Sequence, residues 1–491
     1  MVSGGGASNG RADPRTFSQL RSALVRAAEQ FGTPVYVMDM VSVATAARQV
    51  ESAFRPPWLL HYSLKANDLP AVAGYLAERG WGAAVVSTGE WQHARSGGVP
   101  NAAVVFEGIG KTDPELAFAV AEAAAGRAPR WLVAESAAEL SQLARLAAGR
   151  RLGRDGRPPL DVLLRLNPGV SPETRPQFAV GSVASKFGLP ASEIRALART
   201  AVASGPGLRV RGVHVHVGSA LTDVTAWARA GASATALLGE IARWCPEADT
   251  VDYGGGFPLP APGRPTPAQF LAALQAELAS AGLSLPRRPA IEPGRYLVGG
   301  AGWLVSSVLH ARGPLPAASP ADGSSANGSP ADGSPGDGGP AASPPSASRS
   351  SVSAPAAPEI TAGRLVLDAG MTELIRPALY GSVHRVLALR SAGQQAGSLR
   401  PTIVDGPICE LTDSFGTYEL PPLARGDLVA IDQAGAYAAS FTSRYNGRPQ
   451  PAEVVVQPDG DLALSDRPEV RSAARQVTAG RTVRSPQTSL A

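Results

Sequence analysis

The sequence predicts an α/β protein: a (β/α)8 barrel of the TIM type joined to a mainly β C-terminal domain. Three observations predict it. Short apolar runs at residues 59–62, 83–86, 104–106, 131–133, 162–166, 210–217, 250–253 and 290–291 are separated by Ala/Leu/Glu/Arg stretches of helical length. Strand and helix therefore alternate about eight times over roughly 250 residues, which matches a closed barrel better than an open sheet. Polar or glycine-rich residues follow almost every run, and in a barrel those positions share one rim. Beyond residue 292 the helical stretches give way to strand-like segments at 296–311, 363–368, 402–404, 427–431 and 452–456.

Taken in order, residues 1–15 are Gly, Ser, Asn and Arg without apolar periodicity and read as a disordered tail. Residues 17–31 have a helical pattern and lead into a short strand at 33–39, whose apolar centre is expected to complete the later β domain. The organisation expected is thus an N-terminal segment, 16–38, joined to the β domain; a barrel over 39–292; and the β domain over 293–465. That domain is interrupted by residues 313–358, almost wholly Pro, Ala, Gly, Ser and Asp with SPADGS repeated. Such a segment cannot bury enough apolar surface to fold, and a surface loop accommodates it because the closure penalty grows slowly with length. Residues 466–491 are expected to form a loose tail.

The 491 residues exceed what one core organises. The formal charge of +4 comes from arginines spread along the chain rather than a basic block, so nucleic acid is not an expected partner, whereas small anions are. Two cysteines, Cys245 and Cys409, make no disulfide framework, and the N-terminus has no export pattern, so a cytoplasmic location is expected. No run approaches the roughly 20 apolar residues of a membrane span.

The chemistry centres on Lys65, which ends the apolar run Trp58 to Asn67. Desolvation there disfavours the ammonium form and leaves a nucleophilic amine able to form a Schiff base; the alternative is a lysine that reaches from a strand end into water. His214 and His216 fall on one side of a strand and run into a Gly218-Ser219 turn. Such a pair can bind metal, but no Cys, Asp or Glu lies at nearby ligand spacing. A flat imidazole against a planar cofactor fits better, and no metal is expected. Gly254, Gly255 and Gly256 follow a strand and let several N–H groups converge on an anion, although the dinucleotide spacing is absent. Glu292 can face a protonated ring nitrogen and Arg295 can hold a phosphate or carboxylate; as an ordinary alternative they form a surface pair.

Together these are the parts of a pyridoxal phosphate site. The segments 62–67 (YSLKAN), 185–188 (SKFG), 216–219 (HVGS), 254–257 (GGGF), 292–295 (EPGR), 368–371 (DAGM), 375–380 (IRPALY), 409–410 (CE) and 435–437 (GAY) resemble, in order and spacing, the fold-III pyridoxal phosphate decarboxylases. These share the alanine racemase-like fold, and within them the motifs are most similar to the diaminopimelate decarboxylases. The resemblance covers nearly everything from Thr33 to Val456 outside the insertion. It implies that Lys65 bonds covalently to the cofactor, His216 stacks on its ring, Ser219 and Gly254 to Gly256 bind its phosphate, and Glu292 faces its ring nitrogen. It further implies that Arg295, Arg376 and Tyr380 hold the distal head of an amino-acid substrate, that Glu410 binds its distal amine, and that Tyr437 lies beside the cofactor. Cys409 and Glu410 would come from the partner in a head-to-tail homodimer, with Cys409 near the reacting carbon. The reaction implied is loss of the α-carboxylate of meso-2,6-diaminopimelate to give L-lysine.

Four positions depart from the family pattern. Ala84 stands where an acid usually precedes Val-Val-Ser, Ala220 replaces a glutamine, and Tyr296 and Leu411 each replace a serine. Loss of an acid near Lys65 is expected to alter its protonation, and polar-to-apolar changes alter the substrate that fits. A related enzyme acting on another amino acid or an amino-acid-derived intermediate, and a non-catalytic homologue that binds the cofactor without turnover, are the competing expectations.

Overall fold

The computed structural model describes residues 14–182, 185–201, 205–313, 363–389, 398–465 and 467. The expected N-terminal tail up to residue 13, nearly all of the expected insertion, and the C-terminal tail apart from Ser465 and Arg467 lie outside these residues.

The first strand, β1 (Val35–Asp39), precedes eight parallel strands that close on themselves: β2 (Leu59–Ser63), β3 (Gly82–Val85), β4 (Val104–Phe106), β5 (Trp131–Ala134), β6 (Leu160–Leu166), β7 (Leu208–Val215), β8 (Thr250–Asp252) and β9 (Arg288–Ile291). The barrel forms because its strands are buried on both faces and largely apolar, which a strictly alternating polar pattern would not permit. Outward residues such as Tyr62, Val85, Phe106, Leu132 and Leu164 pack against the helices in the main core. Inward residues form a smaller, separate core of Ala84, Val105, Trp131, Val133, Leu163 and Ala290. Trp131 fills most of that interior, and small neighbours on β3 and β9 leave room for its indole. The His61 ring stands edge-on to it at 5.3 Å. Helix starts are fixed locally: Asp39 is fully buried and caps the helix Met40–Ala53 through Ser42 N at 3.0 Å and Ser42 Oγ at 2.6 Å.

The second domain is built on β10 (Gly302–Arg312), β11 (Gly363–Leu367), β12 (Val386–Leu389), β13 (Arg400–Asp405), β14 (Ser414–Leu420), β15 (Leu428–Ile431), β16 (Ala452–Val456) and β17 (Leu462–Leu464). Its sheet runs β14-β13-β11-β10-β1-β16-β17, with β15 pairing β10 and β12. β1 is antiparallel to β10 and parallel to β16. Alternation along β1 serves two cores. Tyr36 faces Leu304, Leu367 and Ile431, while Val35 and Val37 face Leu20 and Leu24 of the helix Phe17–Phe31. The strand expected to begin at residue 296 begins instead at Gly302. Arg295–Val298 is a short buried helix, and Gly299 and Gly300 separate it from the strand. A short apolar run is ambiguous between helix and strand, and these glycines were its only punctuation. Among the described residues, no helix is long and apolar enough to cross a membrane.

The two domains meet on the segment that carries Lys65. Tyr437 N donates to Ala66 O at 2.7 Å, and Asn67 Nδ2 donates to Gly435 O at 3.0 Å. A Cβ on Gly435 would overlap the Val298 carbonyl and stand 2.7 Å from Gly302 N. Because both obstacles are backbone, Gly435→Ala is expected to lower the unfolding free energy by roughly 1–3 kcal/mol. Chemical denaturation of the purified variant measures this, and an unchanged midpoint would show that the interdomain seam yields freely.

Candidate active site

The inward-facing positions change character at the C-terminal ends of the barrel strands. On β4 the inward sequence is Val105 and then Glu107, just past the strand; on β5, Val133 and then Glu135; on β6, Leu163 and then Arg165; on β9, Ala290 and then Glu292. Side chains two apart share a face, so apolar packing deep in the barrel is capped by a layer of ionisable groups. Arg165, Glu107, Glu135, His214 and Glu292 are all at most 5% exposed. Charges buried this deeply are tolerated only when paired, and they are. Arg165 donates to Glu135 at 2.6 Å and lies over the Phe187 ring at 4.8 Å. Lys65 Nζ donates to Glu107 Oε1 at 2.8 Å. His214 Nε2 lies 3.5 Å from Glu107 Oε2 and 3.4 Å from Glu292 Oε2.

This arrangement sets the protonation states. Burial disfavours the Lys65 ammonium, but the carboxylates of Glu107 and Glu292 outweigh it and hold the amine above its ordinary range. Burial alone would raise Glu107, yet Lys65, His214 and Arg165 hold it well below the usual carboxylate range. Glu292 moves the other way: burial and the neighbouring Glu107 push it well above. Burial lowers both His214 and His216, with Lys65 and Arg165 adding to the effect at His216. Glu107, His214 and Glu292 bring ligand atoms within 4.8 Å of one another, a convergence that ligand spacing along the chain did not reveal.

Most of the expected site residues converge beside this layer. One cleft is lined by Lys65, His216, Ser219, Glu292, Arg295 and Tyr437, with Gly255 and Gly256 along its wall. His216 lies one residue beyond β7, where its Nδ1 accepts from Gly255 N at 3.3 Å. Gly254 has φ +66° and Gly256 φ +113°. A Cβ on Gly254 would stand 2.7 Å from Val215 O, and one on Gly256 2.8 Å from the Leu221 side chain, so the turn requires glycine at both. Arg295 donates to Ser219 Oγ at 3.1 Å and is flanked by the rings of Tyr437 at 4.7 Å and Phe178 at 5.5 Å. An adjoining cavity of about 440 Å³ opens from Lys65 toward Arg376 and Tyr380. Arg376 is 8% exposed, and its Nε and Nη1 have no hydrogen-bond partner. Burial and the nearby Arg295 lower it to about 10.

Cys409 and Glu410 are not brought there. They lie on the exposed connection between β13 and β14, where Glu410 Oε1 accepts from Tyr445 Oη at 3.1 Å. The expectation that Ala84 leaves Lys65 without an acid is corrected by Glu107, which sits one strand further round and supplies the carboxylate. Sequence reading passed over Glu107, Glu135 and Arg165. Each is a lone charge two residues after an inward apolar residue, and that period-2 continuation was the available signal.

Pyridoxal phosphate fits these residues. A lysine amine lies at one side, a glycine turn with no room for a Cβ lies at the other, and the buried Glu292 Oε1 has no hydrogen-bond partner, as a carboxyl awaiting a ring nitrogen requires.

Comparison with known proteins agrees. The profile of the family described as pyridoxal-dependent decarboxylase, pyridoxal binding domain, matches residues 40–299. A diaminopimelate decarboxylase of Pseudomonas aeruginosa is 31% identical over 442 residues, covering 89% of this chain and 91% of the relative. One of Zymomonas mobilis is 29% identical over 453 residues, covering 91% and 93%. The crystal structure of the diaminopimelate decarboxylase of M. jannaschii in complex with L-lysine superposes with a TM-score of 0.70 at 26% identity, covering 94% of each chain. With the barrel, the lysine at its rim and the glycine turn beside it, these findings establish that the chain belongs to the pyridoxal-dependent decarboxylases.

Proposed function

We propose that the chain removes one carboxylate of meso-2,6-diaminopimelate, releasing L-lysine and CO2, and that two subunits build each site. The observation that carries the substrate is the pair of buried arginines beyond Lys65. Arg376 has two guanidinium nitrogens without partners, and Arg295 beside it bonds only to Ser219 Oγ. Unmatched buried donors of this kind call for a carboxylate, preferably held by two parallel bonds. A substrate with a second amino-acid head supplies one; a simple diamino acid such as ornithine does not.

Pyridoxal phosphate supplies an electron sink for the electrons left behind when the carboxylate departs. In this reading Lys65 would hold the cofactor through its side-chain amine. His216 provides a flat face for the ring. Ser219 and the turn of Gly254, Gly255 and Gly256 would receive the phosphate, and Glu292 would face the ring nitrogen. Arg295, Arg376 and Tyr380 orient the distal head, and Tyr437 closes the cleft beside them. Cys409 of one subunit would return a proton to the α-carbon in the other, and Glu410 would take the distal amine. The exposure of Cys409, Leu411 and Leu379, with half-exposed Phe441 lining the cavity, supports a head-to-tail pairing that covers these residues. Residues 39–292 serve as the cofactor-binding unit and 293–465, with 16–38, as the unit that closes it. The unpaired cysteines support a cytoplasmic setting.

A second reading, in which another amino acid or an amino-acid-derived intermediate is the substrate, has one observation in its favour. A further cavity of about 700 Å³ adjoins the site through Arg295, Arg376 and Phe178, and Ala220 lines it. Product analysis decides. With pyridoxal phosphate and meso-diaminopimelate, the purified chain is expected to form lysine and CO2; turnover only of a different or larger amino acid transfers the assignment to the second reading.

Lys65→Ala is expected to abolish the visible absorbance of the bound cofactor; a persistent band would remove Lys65 from its role. Glu410→Ala is expected to raise KM for a substrate with a distal amine roughly tenfold to hundredfold, the range for a charge-assisted bond. Unchanged kinetics would free Glu410 from substrate binding. If sites are shared, an equimolar mixture of Lys65→Ala and Cys409→Ala chains should recover about a quarter of wild-type activity through mixed dimers. No recovery, although the two inactive chains exchange subunits, would mean that each subunit is self-sufficient.

A further inference from the structure

On β3 the inward side chains are Gly82 and Ala84, so the strand next to Lys65 offers no carboxylate. The acid comes from one strand further. Glu107 follows β4, its N–H donates to Val85 O at 2.9 Å, and from that register its side chain reaches Lys65 Nζ at 2.8 Å. We propose that Glu107 is the counter-ion that aims the Lys65 nitrogen and keeps it charged, and that through His214 it ties the protonation of Lys65 to that of Glu292. This deepens the reading of Lys65 as the cofactor lysine and rests on it.

Three observations support the assignment beyond mere proximity. First, the Glu107 side chain is 2% exposed, so its charge is stable only with Lys65 and the groups around it. Second, Glu90, a further carboxyl beside the cluster, is already engaged by Val86 N at 2.9 Å. Third, His214 lies within 3.5 Å of both Glu107 and Glu292, and among these groups Lys65 is the cation in direct contact with Glu107. The ionisable groups facing this cluster are His61, Glu90, Glu135, Arg165, His214, His216, Asp252, Glu292 and Tyr437. Arg165 is held by Glu135 at 2.6 Å and does not replace Lys65. With Glu107 ionised, burial and that neighbouring charge shift Glu292 toward its protonated form, as burial and Glu292 do for Asp252. Taking the charge off Glu107 should therefore release the Lys65 proton more readily and allow Glu292 to ionise.

The sign follows directly. An anion beside a nitrogen favours its protonated form, so Glu107→Gln should move the loss of that form to lower pH. In the cofactor-loaded protein, the midpoint of the pH-dependent change in visible absorbance is expected to fall by roughly one to two pH units, with Glu107→Asp giving a smaller fall. In the cofactor-free protein, acetylation of Lys65 at fixed alkaline pH, followed by mass spectrometry, is expected to speed up about tenfold for each unit of that shift. Unchanged midpoint and unchanged acetylation in Glu107→Gln overturn the proposal, as does a weakened absorbance with unaltered Lys65 reactivity, which marks Glu107 as packing alone. If the wild-type chain shows no visible band, the cofactor reading of Lys65 falls, while the acetylation rates still decide whether Glu107 charges the amine.

Discussion

A charged nitrogen inside the mouth of a barrel is the constraint to which the rest of the structure answers. Lys65 stands just past a strand end with its side chain partly exposed, and its ammonium is held by the buried Glu107 at 2.8 Å. That pairing requires other groups to be settled around it. Arg165 is tied to Glu135, burial disfavours the charged form of His214, and burial beside Glu107 shifts Glu292 toward its protonated form. Glu107, Glu135, Arg165 and Glu292 each sit two residues beyond an apolar side chain that fills the barrel deeper down. The same strand geometry thus builds the hydrophobic interior and the reactive layer above it.

The second domain completes the site from outside. Its Gly435 to Tyr437 segment bonds to the Ala66 carbonyl and to the Asn67 side chain, so Lys65 is positioned by both domains at once. Tyr437, at φ +57°, places its ring against the Arg295 guanidinium, which in turn reaches Ser219. A left-handed residue without the freedom of glycine is held there only by its surroundings, in keeping with a functional segment. The unmatched donors of Arg376 are the complementary feature. A buried guanidinium with one acceptor, Ser382 Oγ at 3.4 Å, and two unmatched nitrogens is suited to completion by a ligand.

The barrel was legible because its strands are continuous apolar runs and the stretches between them are long enough for helices. The site was legible where chemistry is written contiguously, as in the lysine segment, the histidine pair, the glycine triplet and the Glu292 to Arg295 turn. Glu107, Glu135 and Arg165 escaped because each is one charge after a strand, given meaning only when the sheet closes and brings four strand ends together. The absence of an acid at Ala84 was visible, but its replacement from the next strand required the register of β3 against β4. Strands β12 and β14 were missed for a different reason. β14 alternates polar residues and glycine through Ser414 to Leu420, a half-exposed pattern with a weak apolar signal. The start of β10 was displaced because the apolar residues after Arg295 form a buried helical turn.

The central claim is that one lysine at the barrel rim carries the cofactor covalently, and it is tested most directly by chemical trapping. The purified chain, loaded with pyridoxal phosphate, reduced with borohydride and digested, should yield one modified peptide, bearing the reduced cofactor on Lys65. Modification at any other lysine, or a chain that remains unmodified, would contradict the account.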